Sequence, residues 1–323
     1  MEGYEEVRHL GRGAFGDVVL VRRRCDGALC AAKKLRICDD YSKTAAAEHT
    51  REVEALQKLQ HPAILRYWGS TMDGQMLCII TEYADQGDLQ QLLGRLAEAD
   101  AGPALPEPGE IFAVFAQLAG AVRHLHGHRV LHRDLKPSNV LLTSAGAVKL
   151  GDFGVAKLIT GTRAAQQMTC VGSPSYMAPE VMSGEPYGAA CDVWSLGVIL
   201  YELTALRKPF SGRSLAEVAM RIMAGRYEPL PTAGDAAGVS AAAGSAVQPL
   251  VQRMLVLKVP ERAAMSEVMQ NSSVALFAAS PSCALACTAS LLRGDSGGQR
   301  GAGGEDGPPA RAEAPAPAPQ RRH

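Results

Sequence analysis

The sequence predicts a bilobal α+β fold: a small antiparallel-sheet half with one main helix, then a larger, mainly helical half, with a crevice between them. Three observations predict it. Strand-like runs are concentrated in the early part of the chain, helical periodicity dominates beyond Asp88, and a glycine-rich loop near the start opens onto a strand rather than a helix.

The strands come first. Val18-Val19-Leu20-Val21, Leu29 to Leu35 and Cys78-Ile79-Ile80 are rich in β-branched or apolar residues and bounded by turn formers. Between them, Ala45 to Leu59 has helical spacing, with Val53, Leu56 and Leu59 on one face. Further helices are expected over Ile111 to His126, Cys191 to Leu203, Leu215 to Ala224 and Val247 to Leu257. Thr232 to Ala246 is made of small residues and is expected as a long internal loop. The folded region should end near Gln270. Val274 to Leu292 is mildly apolar and interrupted by Pro281, so a frayed helix or loose packing is expected there. A membrane anchor with lipidated Cys283 or Cys287 is the minor alternative. Arg293 to His323 is Gly, Pro, Ala and charge, too poor in large apolar groups to offset the entropy of ordering.

Bulk composition narrows the class. The 323 residues are 47% hydrophobic and 20% charged, ordinary values for a globular protein. Lys plus Arg (33) balances Asp plus Glu (33), so no net charge points to nucleic acid or a membrane surface. The opening Met1 to Glu6 has no apolar run, so no secretory leader is expected. Eight cysteines without a CxxC pair or dense framework suggest a reducing, intracellular, cytoplasmic setting.

Gly11-Arg12-Gly13-Ala14-Phe15-Gly16 matches GxGxxG. Glycines at this spacing let backbone N–H groups approach phosphate oxygens. In a dinucleotide-binding fold the last glycine opens a helix; here it opens Asp17-Val18-Val19-Leu20-Val21, so a glycine-rich hairpin fits and a dinucleotide-dependent oxidoreductase does not. Lys33 follows on the next strand and can reach phosphates if a counter-ion steadies its flexible stem. Glu48, Glu52 and Glu54 on the following helix are the available carboxylates.

The most specific string is His132-Arg133-Asp134-Leu135-Lys136-Pro137-Ser138-Asn139, followed beyond a short strand pair by Asp152-Phe153-Gly154. Together these resemble the protein-kinase signature. The resemblance implies ATP as co-substrate, Mg²⁺ as cofactor and Ser/Thr-bearing proteins as acceptors. In such chemistry, catalysis comes from positioning and charge neutralisation more than from covalent bonding to the enzyme. Asp134 would orient the acceptor hydroxyl and take its proton, and Lys136 would neutralise charge on the moving phosphoryl group. Asn139 and Asp152 would supply the oxygen ligands that Mg²⁺ prefers. His132 and Phe153 are expected as packing residues, in a column with Leu56 and Tyr67.

From Tyr4 to about Gln270 the chain resembles a eukaryotic Ser/Thr protein kinase. Within that group it resembles the NIMA-related kinases, on Gly151-Asp152-Phe153-Gly154-Val155-Ala156-Lys157, on Cys170 to Glu180, on Leu200 to Leu206 and on Arg221 to Pro229. The resemblance implies a kinase domain over 4–270, divided into an N-lobe over about 4–81, a hinge over about 82–87 and a C-lobe over about 88–270. Residues 271–323 would be a low-complexity tail. It selects Glu52 as the partner of Lys33, from its distance to His61-Pro62. It also implies that Leu10, Gly11, Gly13, Ala14, Phe15 and Gly16 cover the nucleotide, and that Val18, Ala31 and Leu141 sandwich the purine. Thr81 would be the gatekeeper, Glu82 and Ala84 would offer backbone groups to adenine, and Asp88 would meet the ribose. Glu180 should pair with Arg262, and Asp192 should anchor the catalytic loop. Asp152 to Glu180 would be an activation loop, with Thr169 as its phosphorylation site, Ser173 as a second regulatory hydroxyl, and Arg133 with Lys157 receiving the phosphate. Val155 resembles kinases that favour threonine as acceptor. Cytoskeletal or ciliary work is suggested by family analogy alone. The competing reading is an ATP-binding scaffold without activity, which usually lacks one of the residues present here as Lys33, Asp134 and Asp152.

Overall fold

In the computed structural model, which describes residues 1–13, 16–36, 59–73, 76–99, 104–152, 174–232 and 239–294, the first half pairs into one five-stranded antiparallel sheet. Its strands are β1 (Tyr4–Gly13), β2 (Gly16–Arg23), β3 (Leu29–Arg36), β4 (Tyr67–Asp73) and β5 (Met76–Glu82), in the order β1-β2-β3-β5-β4. Successive residues point to opposite faces, and residues directly across a pair share a face. The register sets Val18 opposite Lys33, Leu20 opposite Ala31, Ala31 opposite Thr81 and Lys33 opposite Ile79. One face therefore gathers Val18, Ala31, Lys33 and Thr81. The other gathers Val19, Val21, Cys30, Ala32, Cys78 and Ile80 into a buried apolar cluster. A one-residue slip would drive Lys33 into that cluster, so burial itself enforces the register.

β1 and β4 were not expected from the sequence. They lie at the two edges of the sheet, where one flank faces no strand, and they carry polar residues such as Glu5, Glu6 and Ser70. The helix expected over Ala45 to Leu59 lies outside the described residues except for Leu59, which is buried.

The second half contains α1 (Leu89–Ala97), α2 (Pro108–Gly127), a hairpin of β6 (Val140–Leu142) and β7 (Val148–Leu150), then α3 (Pro179–Met182) and α4 (Ala190–Ala205). It continues with α5 (Leu215–Met223), α6 (Val239–Met254), α7 (Met265–Gln270), α8 (Ser272–Ala279) and α9 (Pro281–Arg293). From Cys191 to Thr204, every residue of α4 except Ser195 is buried. A helix apolar on all sides belongs in a core, and α4 is the post around which the helical half is built.

Two expectations are corrected. The loop expected over Thr232 to Ala246 is helical from Val239, with Ala241 and Ala243 buried. Small side chains signal a loop when no long-range contact is visible, but here they allow close packing. The expectation of a loose or disordered segment from 271 also fails for 271–294. Asn271 caps α8 by accepting from the Ser273 and Val274 amides, and Val274, Ala284, Thr288 and Leu291 are buried. Burying side chains such as Val274 and Leu291 contributes about 1.5–3 kcal/mol each. The folded unit thus runs to about Gly294. No single helix among the described residues is long and apolar enough to cross a membrane; α8 and α9 qualify only as a pair, bent by 103°.

Candidate active site

The candidate site is assembled on the loop before β6. Asp192 rises from the first turn of α4 and is 1% exposed. Its Oδ1 accepts from the Arg133 amide at 3.0 Å, and its Oδ2 accepts from the His132 amide at 3.0 Å. His126, near the end of α2, brings Nε2 within 2.8 Å of the same Oδ2. Burial alone would raise the Asp192 carboxyl above its usual range, but the hydrogen bonds from His126 and the two amides help outweigh it and leave it lowered. The anion is thus stable inside the protein and fixes two consecutive backbone N–H groups. Arg133 is held at φ 66°, the left-handed region that non-glycine residues rarely enter. His126 was missed in the sequence because nothing local marks it as a partner of a residue 66 positions away.

His132 is buried, and its ring nitrogens are divided between two tasks. Nδ1 accepts from the Asp134 amide at 3.3 Å, so Nε2 carries the proton and donates to the Gly151 carbonyl at 3.0 Å. Burial pushes this imidazole below its ordinary value and keeps it neutral. It acts as a strut between the loop before β6 and the residue before Asp152. Tyr67 lies on β4; Leu56 and Phe153 of the expected column lie outside the described residues.

Asp134 is gripped from two sides. Lys136 Nζ donates to Oδ2 at 2.9 Å, and Asn139 Nδ2 donates to both Oδ2 (3.2 Å) and the backbone carbonyl (2.7 Å). With Nδ2 committed in this way, the Asn139 amide presents Oδ1 as its outward atom. Asn139 immediately precedes β6, and Asp152 follows β7 by two residues. The Gly151 amide donates to the Asn139 carbonyl at 2.9 Å, so the open end of the hairpin brings Asn139 and Asp152 together. Asp152 has φ 53°, and its Oδ1 is 2.5 Å from Lys33 Nζ. That ion pair joins the sheet half to the helical half across the crevice. Glu52, expected beside Lys33, lies outside the described residues.

The crevice walls follow from the sheet register. Leu10 sits at a break in the β1–β2 ladder, between the His9–Val19 and Gly11–Val18 pairs, where a bulge can re-aim a side chain. Gly13 pairs with Gly16; Ala14 and Phe15, between them, lie outside the described residues. Gly16 has φ 146°, and a Cβ there would run into the Lys34 carbonyl, so only glycine fits. Thr81 and Glu82 close β5, and Ala84 follows in the link to α1. The Glu82 amide already donates to the Arg66 carbonyl, which leaves its own carbonyl as the group to offer a ligand. Its side chain reaches Lys149 on β7 at 2.8 Å, a second link between the halves that the sequence did not reveal. Asp88 has a role beyond the expected one: its carboxylate caps α1 by accepting from the Gln91 amide at 2.9 Å, and burial raises its pKa. Leu141 on β6 pairs with Asp88 and stands against Gly151 at the floor. Thr169, Ser173 and Lys157 lie outside the described residues, while Arg133 is exposed.

At the far end of the segment, Arg262 and Glu180 form the expected pair in two-pronged geometry: Nη1 to Oε1 at 2.7 Å and Nη2 to Oε2 at 2.8 Å. Their side chains are 0% and 5% exposed. The guanidinium also donates to the Ala190 and Val256 carbonyls and lies over the Trp194 ring. Nearby, Tyr176 donates to Glu202 at 2.6 Å, a buried contact that sequence reading did not anticipate.

Residues 4–274 match the protein kinase domain family, and the chain belongs to that family. Its similarity runs to the NIMA-related Ser/Thr kinases. It is 33% identical over 234 residues to serine/threonine-protein kinase Nek5 of Homo sapiens, covering 71% of this chain and 32% of that protein. It is 34% identical over 285 residues to serine/threonine-protein kinase Nek2 of Mus musculus, covering 85% and 60% respectively. A putative serine/threonine-protein kinase A of Trypanosoma brucei brucei is 37% identical over 226 residues, covering 69% and 51%. The chain therefore spans between about a third and three fifths of the length of these relatives.

Removing one member of a buried, hydrogen-bonded ion pair leaves the other uncompensated. Arg262→Ala should therefore cost about 3–5 kcal/mol, read from urea unfolding of the whole chain. A loss under about 1 kcal/mol, the scale of a surface pair, would contradict the buried geometry.

Proposed function

We propose that this chain is a Ser/Thr protein kinase that transfers the γ-phosphoryl group of ATP to serine or threonine hydroxyls of protein substrates. The observation that carries the reading is the arrangement around Asp134: a carboxylate held by Lys136 and Asn139 on a clamped loop, beside an Asp152 paired with Lys33.

Asn139 and Asp152 fit a hard cation. Both offer oxygen, the Asn139 amide turns Oδ1 outward, and Asp152 has a second carboxylate oxygen besides the one at Lys33. Bound Mg²⁺ would neutralise phosphate charge. Lys33 would steady the α- and β-phosphates, and Gly11, Gly13 and Gly16 would leave room for backbone approach from above. Asp134 would align the acceptor hydroxyl and take its proton as its oxygen bonds to the γ-phosphorus and the bond to the ADP oxygen breaks. Lys136 would offset charge on the transferred group. Val18, Ala31 and Leu141 would enclose the adenine beside Thr81, with Glu82, Ala84 and Asp88 offering it and the ribose polar groups. Activation would follow phosphorylation of Thr169, with Ser173 nearby and Arg133 among the receivers, because a phosphate of about −1.5 to −2 charge orders a segment against cations. An intracellular setting is part of this proposal and rests on cysteine usage.

The test is transfer of labelled γ-phosphate to casein with Mg²⁺. Asp134→Asn should lower the rate by about 10²–10⁴-fold, the usual worth of a positioned general base, while leaving ATP binding in place. Wild-type inactivity despite ATP binding would favour the scaffold reading. In the same assay Thr169→Ala should be markedly slower than wild type; equal rates would remove Thr169 from regulation.

A further inference from the structure

Helix α9, the last among the described residues, begins beyond residue 274, where the match to the protein kinase domain ends. It nevertheless rests on the turn of the hairpin whose two ends carry Asn139 and Asp152. Gly146, in that turn, has φ 79°, and a Cβ there would meet the Leu285 carbonyl and the Ala289 amide of α9. Helix backbone is therefore seated directly on the turn.

A polar tether accompanies this contact. Gln117, on α2, accepts from the Val148 amide at 3.1 Å through Oε1, which fixes the orientation of its side-chain amide. Its Nε2 faces the Ala113 carbonyl (3.2 Å), the Gly146 carbonyl (3.2 Å) and Thr288 Oγ1 of α9 (3.1 Å). Thr288 is 0% exposed and lies among small or apolar buried neighbours such as Ala284 and Leu291. A hydroxyl is costly in such a place unless it is bonded, and its bond is to Gln117. Val148 is the first residue of β7, and the hairpin has only three residue pairs, from Val140–Leu150 to Leu142–Val148. Holding the turn and the start of β7 therefore constrains the short ladder that ends at Asn139 and Asp152.

We propose that Thr288 and Gln117 are positioning residues for the metal-bound nucleotide, through which α9 sets the hairpin that carries Asn139 and Asp152. The proposal rests on the reading of those two residues as Mg²⁺ ligands. It gives α9, which lies beyond the match to the kinase domain, a task in the site.

The experiment compares full-length wild type, Thr288→Val and Thr288→Ser by calorimetric titration with ATP plus Mg²⁺ and with adenosine, which has no phosphates. Amide hydrogen exchange at Val148 is followed in parallel without ligand. Thr288→Val, which keeps the shape and loses the hydroxyl, should bind Mg²⁺–ATP about two- to tenfold more weakly, the range one hydrogen bond carries. It should lose less affinity for adenosine, which would meet this hairpin only at Leu141, than for Mg²⁺–ATP, and should exchange the Val148 amide faster, while Thr288→Ser should behave as wild type. Equal Mg²⁺–ATP binding by Thr288→Val and wild type would overturn the proposal. So would a matching loss of adenosine binding, which marks general destabilisation. If Mg²⁺ does not strengthen ATP binding to wild type, or still does so in Asp152→Asn, the metal-ligand reading falls first and this inference with it.

Discussion

The buried carboxylate of Asp192 is the constraint on which the rest of the site depends. The loop before β6 must carry Asp134, Lys136 and Asn139 past the crevice with its backbone turned at Arg133 into the left-handed region, an arrangement that costs about 1–3 kcal/mol for a non-glycine residue. Asp192 stabilises that turn by accepting both amides that the turn exposes. It can do so because α4 is buried almost all round, and because His126 shares the carboxylate. A charge that would be expensive in a core is instead fully bonded. Every distance at Asp134 is downstream of this clamp.

From there the order propagates along covalent and hydrogen-bonded links. His132 connects the clamped loop to Gly151, Gly151 is bonded to Asn139, and Asp152 follows directly. Lys33 then reaches Asp152 from the sheet, on the face that the β-register reserves for it. Glu82 and Lys149 make a second bridge at the back of the crevice. The two halves are thus joined by two ion pairs across the crevice. In the proposed function, phosphates would compete with Asp152 for Lys33, which would let ligand binding alter how the halves engage.

Much of this was legible in the sequence, and the reason is local. His132 to Asn139, Asp152 and the glycine loop are contiguous strings in which residue type and spacing are set by chemistry at one point. β2, β3 and the middle of β5 were legible because burial on a sheet face demands alternation or apolar runs. What was hidden depends on partners far away. His126, Lys149 and Gln117 are unremarkable until folding brings Asp192, Glu82 and Thr288 to them. β1 and β4 are edge strands and need little apolar character. The helices from Val239 and from Ser272 are built on Ala, Ser, Cys and Gly, whose burial comes from close packing rather than from large side chains. Small residues read as loop or tail until the surface they fit is known; Gly146, which leaves room for the backbone of α9, is the clearest case.

The most direct test of the clamp is Asp192→Asn, measured for transfer of labelled phosphate and for adenosine binding in the same preparation. An asparagine of the same shape must turn an NH₂ toward one of the backbone donors or toward His126, orphaning a buried group at a cost of about 1–3 kcal/mol. Since about 1.4 kcal/mol is a factor of ten in rate, transfer should fall by about five- to 150-fold while adenosine still binds, because Val18, Ala31 and Thr81 lie on the sheet, away from the clamp. A folded Asp192→Asn protein that transfers phosphate at the wild-type rate would contradict the account.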